Sequence, residues 1–564
     1  MRKFALSILT AIVPVVLFAC SDSPQSTDPA VSGDDITADD YVKPEEGKDD
    51  SSVLATILDF EYDGELVTDY AWDPKSVIND QMLYTIGQLN GEKAVGRLDR
   101  LELTNIQKTQ TPEGKTKIAY HAKMPVAWGS KTNLPKTYEF ILPLDVSDTG
   151  TTAFTDKYKS SCAESGAHEI DSGSMWYYYR PSEYGCKLTE TDIVKMTAKV
   201  TVSAVNSTGK YPEYHKVWED NALKVVAVFG KYEDGATSPY DAGIQAFNEF
   251  ARDMGLALSG LNPTTTPATV PTQPGPDVKS IEWKATLPGG RTVQVDVLLV
   301  DNVANASTTP EFVNWYEPLS TKADFIVYNG HAGLGQNVRA LAKKGKWETG
   351  QYLILFMNGC DTYAYVDGSL AQTRAPLNPD DPTGTKYMDI VTNAMPAFFA
   401  SDSDATMAIF NGLMTYDAPK TYEQIMKNID IHQIVLVTGD NDNVYYPGYG
   451  TTSGDAGAPD AGIDPGAWAG LNESGSVDKG KEIRYETPAL KAGNYLFSMT
   501  GTGDADLYVR VGTAPTAKLY DCRPYKTGSN ESCDVTLAQA APVYVMVRGY
   551  ASGSSTFALT GRKQ

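Results

Sequence analysis

The sequence predicts a multidomain chain, with an α/β domain built on a mostly parallel sheet between a β-rich N-terminal domain and a small all-β C-terminal one. Three observations lead there. Two short apolar runs near the middle, residues 324–333 (DFIVYNGHAG) and 352–361 (YLILFMNGCD), each end in a small-residue turn, the mark of a buried parallel strand. The elements around them alternate strand and helix, as a parallel sheet requires. The flanking stretches, 52–222 and 472–564, instead carry short alternating runs cut by turn residues, which is antiparallel patterning.

At the amino end, Arg2 and Lys3 precede an apolar run from Phe4 to Phe18, shorter than the ~20 residues that span a bilayer. The run closes Leu17-Phe18-Ala19-Cys20. This resembles a bacterial lipoprotein signal, which implies removal of residues 1–19 and a lipid on Cys20. Ser21 after the cysteine then implies the outer membrane and the cell surface. Phe18 is larger than is usual at its position, so plain secretion is the alternative. Residues 20–51 are Ser, Pro and acid with almost no large apolar groups; such a segment buries too little to fold and is expected to be a disordered acidic tether. No other stretch is long and apolar enough to cross a bilayer. The net charge of −23 argues against a nucleic-acid partner, which needs basic patches. The expected membrane contact is the lipid anchor alone.

From residue 52 to 222 the runs around 115–123 and 195–206 are separated by turns such as Pro112-Glu113-Gly114 and Ser207-Thr208-Gly209. The expectation is a β sandwich of unassigned role. Residues 175–179 (MWYYY) read as a core strand, with a sugar- or peptide-binding aromatic patch as the alternative.

The rhythm changes at Leu223. A strand at 224–230, a helix at 238–254 and a Pro/Thr-rich excursion at 261–277 come first. A strand at 292–301, a helix opened by Thr309-Pro310-Glu311 and the strand ending at His331 follow. Residues 336–344 supply a helix and 352–358 the strand ending at Cys360. Beyond it, helices are expected at 386–400, 407–413 and 422–429, then a last strand at 432–438 with His432 structural. Residues 450–471 are Gly, Pro and Asp rich, a linker.

In open parallel sheets, chemistry gathers at the carboxyl ends of the strands. Neighbouring strands would set His331 beside Cys360, and imidazole beside thiol is the minimum for cysteine-nucleophile catalysis. These residues resemble the caspase–gingipain–legumain group of cysteine peptidases, whose dyad is a His after one buried strand and a Cys after the next. The resemblance covers about residues 223–449. It implies a three-layer catalytic domain, Cys360 as nucleophile, His331 as general base, and the N–H groups of Ala332 and Cys360 as oxyanion hole. Gly330, Gly333 and Gly359 would allow the turns a close backbone approach. The family usually has His-Gly where this chain has His331-Ala332. Some relatives cleave after Arg or Lys, and Asp361 and Asp367 follow the nucleophile closely enough to line a first substrate pocket. The alternative is that Asp361 caps the next helix and Asp367 sits in a turn.

Of six cysteines, Cys20 goes to lipid, and Cys162–Cys186 and Cys522–Cys533 bracket loops as expected local disulfides. Cys360 is left over, for which catalysis gives a reason. No cofactor is required. Asp440-Asn441-Asp442-Asn443 and Asn378-Pro379-Asp380-Asp381 could bind Ca²⁺, but neither completes a loop motif and turn chemistry is preferred. There is no His-Glu-x-x-His, no Rossmann glycine fingerprint and no Gly-x-Ser-x-Gly elbow, which removes those zinc, dinucleotide and serine-hydrolase readings.

At the C-terminus, residues 503–509 (GDADLYV), 520–525 (YDCRPY) and 547–550 (VRGY) resemble the bacterial pre-peptidase C-terminal domain over nearly all of 472–564. That implies a β sandwich of the kind appended to secreted peptidases. The leading expectation is therefore a surface-anchored cysteine endopeptidase acting on protein or peptide. Its rivals are a non-catalytic surface lipoprotein binding peptide or glycan, and cysteine-dependent acyl transfer such as transpeptidation.

Overall fold

The computed structural model describes residues 48–563 apart from 168–169, 444, 448, 450–470, 488–489 and 538–540. The signal peptide, Cys20, most of the tether and nearly all of the linker lie outside the described residues. The chain forms two compact units, divided between residues 452 and 453.

The first unit holds two sheets. Its strands are β1 (Ser51–Ser52), β2 (Thr56–Thr68), β3 (Ala94–Gly96), β4 (Glu102–Gln110), β5 (Thr116–Trp128), β6 (Thr137–Pro143), β7 (Ile193–Val202) and β8 (Ala222–Gly230). Then come β9 (Thr264–Thr266), β10 (Ser280–Thr286), β11 (Thr292–Val300), β12 (Phe325–Asn329), β13 (Leu353–Asn358), β14 (Met388–Asn393) and β15 (Val435–Gly439). The larger sheet has the order β1-β15-β14-β13-β12-β8-β11-β10-β9. Its five central strands, β11, β8, β12, β13 and β14, are parallel, and the outer ones pair antiparallel.

Successive residues of the parallel strands face opposite cores, because side chains alternate along a strand. Phe325 and Val327 pack with the helices Ala242–Leu258 and Asp402–Leu413, while Ile326 and Tyr328 pack with Pro310–Ser320 and Gln336–Lys344. Covered on both faces, these strands need apolar residues at every position, which is why they read as continuous runs.

The expected helix at 386–400 is instead strand β14, entirely buried. A short apolar run packed on both faces cannot be told from a buried helix by spacing. The tether is also shorter than expected: Ser51 and Ser52 pair with Val437 and Leu436 of β15. Lys210 anchors that arm. Its buried ammonium meets Asp389 at 2.9 Å, the Gly439 carbonyl and the Asp49 carbonyl at 3.3 Å.

The N-terminal half is not a sandwich. It is one antiparallel sheet, β3-β5-β2-β7-β6 with β4 on β5, covered by the helix Pro74–Asn90. Val77, Ile78, Met82, Ile86 and Leu89 of that helix fill the place a second sheet would take. Residues 175–179 are likewise not a strand: Met175–Tyr178 is a short helix with Met175, Trp176 and Tyr177 buried. This half shares one continuous core with the face of the parallel sheet that carries Ile326 and Tyr328. Cys162 and Cys186 form a disulfide.

The second unit pairs a four-stranded sheet, Leu471–Val477, Ser555–Lys563, Gly493–Thr502 and Glu531–Leu537, with a three-stranded one, Glu482–Glu486, Val543–Gly549 and Ala505–Val511. Phe497, Leu507, Val545 and Leu559 sit in the core between them, and Cys522 bonds Cys533. The Arg523 guanidinium binds Asp506 (Nε to Oδ2, 3.0 Å) and lies over the rings of Tyr525 at 4.0 Å and Tyr508 at 4.7 Å. Among the described residues no helix is long and apolar enough to cross a membrane.

Candidate active site

Strands β12 and β13 run parallel with Asn329 opposite Asn358. His331 and Cys360, each two residues further on, therefore leave adjacent strands at the same edge of the sheet. The two turns pack backbone to backbone. A Cβ on Gly359 would sit 2.7 Å from the Gly330 carbonyl oxygen and 3.3 Å from the Ala332 nitrogen. Gly330 and Gly333 have φ of 140° and 59°, conformations that side-chain-bearing residues rarely adopt. Ala332 is not among the residues with positive φ, so its Cβ costs nothing there.

His331 is held from two sides. Its carbonyl accepts from Tyr328 Oη and Asn337 Nδ2, each at 2.8 Å. Its Nε2 lies 3.1 Å from the Tyr232 carbonyl oxygen. A carbonyl only accepts, so Nε2 carries the proton and Nδ1 keeps its lone pair. Tyr232 and Phe399 flank the ring, with centres 5.2 and 5.0 Å away. Burial pulls the imidazole pKa below its ordinary value, against the upward pull of the Tyr232 carbonyl. A neutral imidazole can accept a proton at the nitrogen that carries none.

Cys360 is 4% exposed, and its Sγ lies 3.8 Å from the Ala397 carbonyl oxygen. It is itself in a disulfide, and not with Cys162, Cys186, Cys522 or Cys533, which pair among themselves. The cysteine count that left Cys360 over is corrected on this point.

Asp361 neither lines a substrate pocket nor caps a helix through its side chain. It is fully buried, with its carboxylate accepting from Asn90 Nδ2 at 2.6 Å and Tyr177 Oη at 2.8 Å. Asp367 accepts from the Ser369 amide at 3.0 Å and from the Ser369 hydroxyl, as in a turn. The cavity it borders, with Val338, Arg339, Tyr365 and Leu370, has about 20 Å³, room for about one water and not for a substrate guanidinium. His432 is an exposed partner of Asp430, 2.8 Å away. In the two candidate Ca²⁺ loops, Asp381 spends Oδ1 on the Gly384 amide at 2.8 Å and Oδ2 on the Lys386 amide at 3.0 Å, and Asp440 takes Asn443 Nδ2 at 2.7 Å. No cluster of three metal-ligating side chains occurs among the described residues.

Beneath the turns lies a polar ladder with no role assigned to it from the sequence. Asn329, Asn358 and Asn393 end the adjacent strands β12, β13 and β14, and all three are fully buried. Asn358 Nδ2 donates to Asn329 Oδ1 (2.8 Å) and Asp402 Oδ1 (3.0 Å). Its Oδ1 accepts from Asn393 Nδ2 (2.9 Å) and Gln433 Nε2 (2.7 Å). Asn393 also donates to the Gly359 carbonyl at 3.0 Å, which fixes the turn before Cys360. The signal was there: each apolar run stops at an asparagine.

Residues 474–549 match the family model of the bacterial pre-peptidase C-terminal domain. The chain carries that domain. Alkaline serine exoprotease A of Vibrio alginolyticus is 38% identical over 104 residues, 18% of this chain and 20% of that protein. A zinc metalloprotease of Helicobacter pylori is 42% identical over 80 residues, 14% of this chain and 31% of that protein. The solution structure of vEP C-ter 100 is 38% identical, covering 16% of this chain and 86% of that one, with a TM-score of 0.14. The chain thus spans less than a third of the length of these two curated relatives. One is named for serine and the other for zinc chemistry, so their shared segment does not specify a nucleophile.

Proposed function

We propose that the protein is an extracytoplasmic peptidase acting through His331 and Cys360. The observation that carries this reading is the parallel register of β12 and β13, which delivers both residues to one strand-end site. The pre-peptidase C-terminal domain supports it, since the proteins sharing it here are named as proteases. A protein or peptide is the substrate, and the cell envelope or its exterior the place of action. The cysteine-peptidase likeness belongs to the same proposal, and so does lipid attachment at Cys20 in the reduced protein.

In this scheme Cys360 acts as a thiol, once a thiol reductant has opened its disulfide. His331 Nδ1 takes the thiol proton, the thiolate attacks the scissile carbonyl, and the Ala332 and Cys360 amides receive the oxyanion. His331 returns the proton to the leaving amine, and water then hydrolyses the thioester. A second reading is favoured by the disulfide: a non-catalytic protein that binds peptide or glycan. One experiment separates them. Reduced full-length protein, with His331→Ala and Cys360→Ala variants, is incubated with a fluorogenic peptide library. Turnover in wild type that drops at least a thousandfold in either variant supports the peptidase; no turnover after reduction ends it.

A further inference from the structure

We propose that Asp361 is a positioning residue, whose buried carboxylate, gripped by Asn90 and Tyr177 of the N-terminal half, sets the turn that aims Cys360 at His331. The inference deepens the peptidase reading and rests on it.

Asp361 follows Cys360 directly and holds φ 51°, ψ 31°. That left-handed conformation is uncommon for a residue with a side chain, though Asp tolerates it better than most. Something must hold it there. Its own side chain is anchored at both oxygens, by the Asn90 amide (2.6 Å) and the Tyr177 hydroxyl (2.8 Å). The anchors are themselves fixed. Arg180 Nη2 donates to Asn90 Oδ1 at 2.9 Å and to Glu164 Oε2 at 2.7 Å. Arg180 Nη1 donates to the Gly87 carbonyl at 2.7 Å and the Tyr177 carbonyl at 3.0 Å. Helix Pro74–Asn90 lies so close to this segment that a Cβ on Gly87 would meet the Trp176 carbonyl oxygen at 2.4 Å.

The rest of the turn is walled by the same half of the molecule. The Trp176 ring packs edge-on to Tyr365, centres 6.5 Å apart, and the Arg97 guanidinium lies 5.4 Å over the Tyr363 ring. A bare structural spacer here would be apolar, because a buried carboxylate costs free energy unless every lone pair is used. Asp361 also puts a titratable carboxyl on the residue that follows Cys360. Tyr177, Arg180, Glu164 and Tyr365 are the titratable groups facing it, and burial above all raises its pKa to about 7. The turn therefore changes charge near neutral pH.

The test uses reduced full-length wild type, Asp361→Asn and Tyr177→Phe. Peptide turnover gives kcat and KM, and iodoacetamide labelling at Cys360, read by peptide mapping from pH 5 to 9, gives thiol reactivity. The expected result is a kcat at least tenfold lower in Asp361→Asn with KM within twofold, and a smaller loss in Tyr177→Phe. The wild-type labelling profile shows an inflection near pH 7 that Asp361→Asn removes, which loosened packing alone would not do. Unchanged kcat and an unchanged labelling profile in both variants overturn the proposal. If wild type turns over no peptide, the peptidase reading fails, and the labelling profile by itself decides whether Asp361 controls Cys360.

Discussion

Three acids, Asp50, Glu213 and Asp361, are buried by the fold and have their pKa values raised to about 7, in each case mainly by desolvation. Asp49 adds to the rise at Asp50, and Asp389 and Asp442 add to it at Glu213. In the unfolded chain these groups titrate near 4. Between about pH 4 and 7 the folded state then binds more protons than the unfolded one, so stability falls as pH rises through that window. The urea midpoint of the first unit is expected to be higher at pH 5 than at pH 8, and Asp361→Asn should flatten part of the slope. A midpoint that rises with pH over that range would contradict the burial of these groups. The placement of His331 and Cys360 just beyond adjacent strand ends was legible because each follows an apolar run closed by a small-residue turn. Asp361 was not, because the partners that turn it inward, Asn90 and Tyr177, lie far away in the chain. Tyr232 escaped notice because it acts through its carbonyl, which any residue carries.

At the scale of elements, strongly amphipathic helices were legible and so were the strands buried on both faces, β14 excepted; elements whose partner is remote were not. The helix Pro74–Asn90 was missed although Asp73 caps it, accepting from the Ser76 amide at 3.3 Å, and Pro74 stands at its first turn. It is apolar on more than one side because a sheet and the 175–179 segment both pack on it, so its stripe is blurred. The helix Ala242–Leu258 was legible, and its start matters to the site. Asp241 accepts from Ile244 at its own N-terminus (2.9 Å) and from the amides of Tyr232 (3.1 Å) and Glu233 (2.9 Å). The helix thereby holds the loop whose carbonyl fixes His331. Gly243 makes that approach available, since a Cβ there would lie 2.1 Å from the Gly230 carbonyl oxygen. Gly to Ala inside a helix gains about 1 kcal/mol in propensity, but forcing a methyl against backbone costs about 1–3 kcal/mol or more. Gly243→Ala is expected to lose about 1 kcal/mol net in denaturant unfolding, with turnover falling as Tyr232 shifts. A neutral or stabilising effect would show that the contact relaxes freely.

At the scale of the whole molecule, the C-terminal domain was legible because its motif residues are neighbours in sequence or meet in one small sheet pair. The N-terminal half was not, because its patterning describes a sheet without saying what covers it. Its inner face is closed by the helix Pro74–Asn90 and by a core shared with Leu353, Leu355 and Met357 of the parallel sheet. Strand β1 belongs to the far edge of the other sheet, and Asp361 draws its partners from this half. A cut between residues 222 and 223 would therefore expose apolar side chains on both fragments. Each large one returned to water costs about 1.5–3 kcal/mol, against a total stability of about 5–15 kcal/mol for a typical domain. A few such exposures suffice to unfold either piece. The second unit has its own core and disulfide, so it needs no such support. Expressed alone, residues 471–564 should melt cooperatively, residues 48–452 should melt as one transition, and residues 48–222 should show none by circular dichroism. A sharp, reversible melt of 48–222 would mean that the N-terminal half folds by itself, and that its grip on Asp361 is a docking contact between independent bodies.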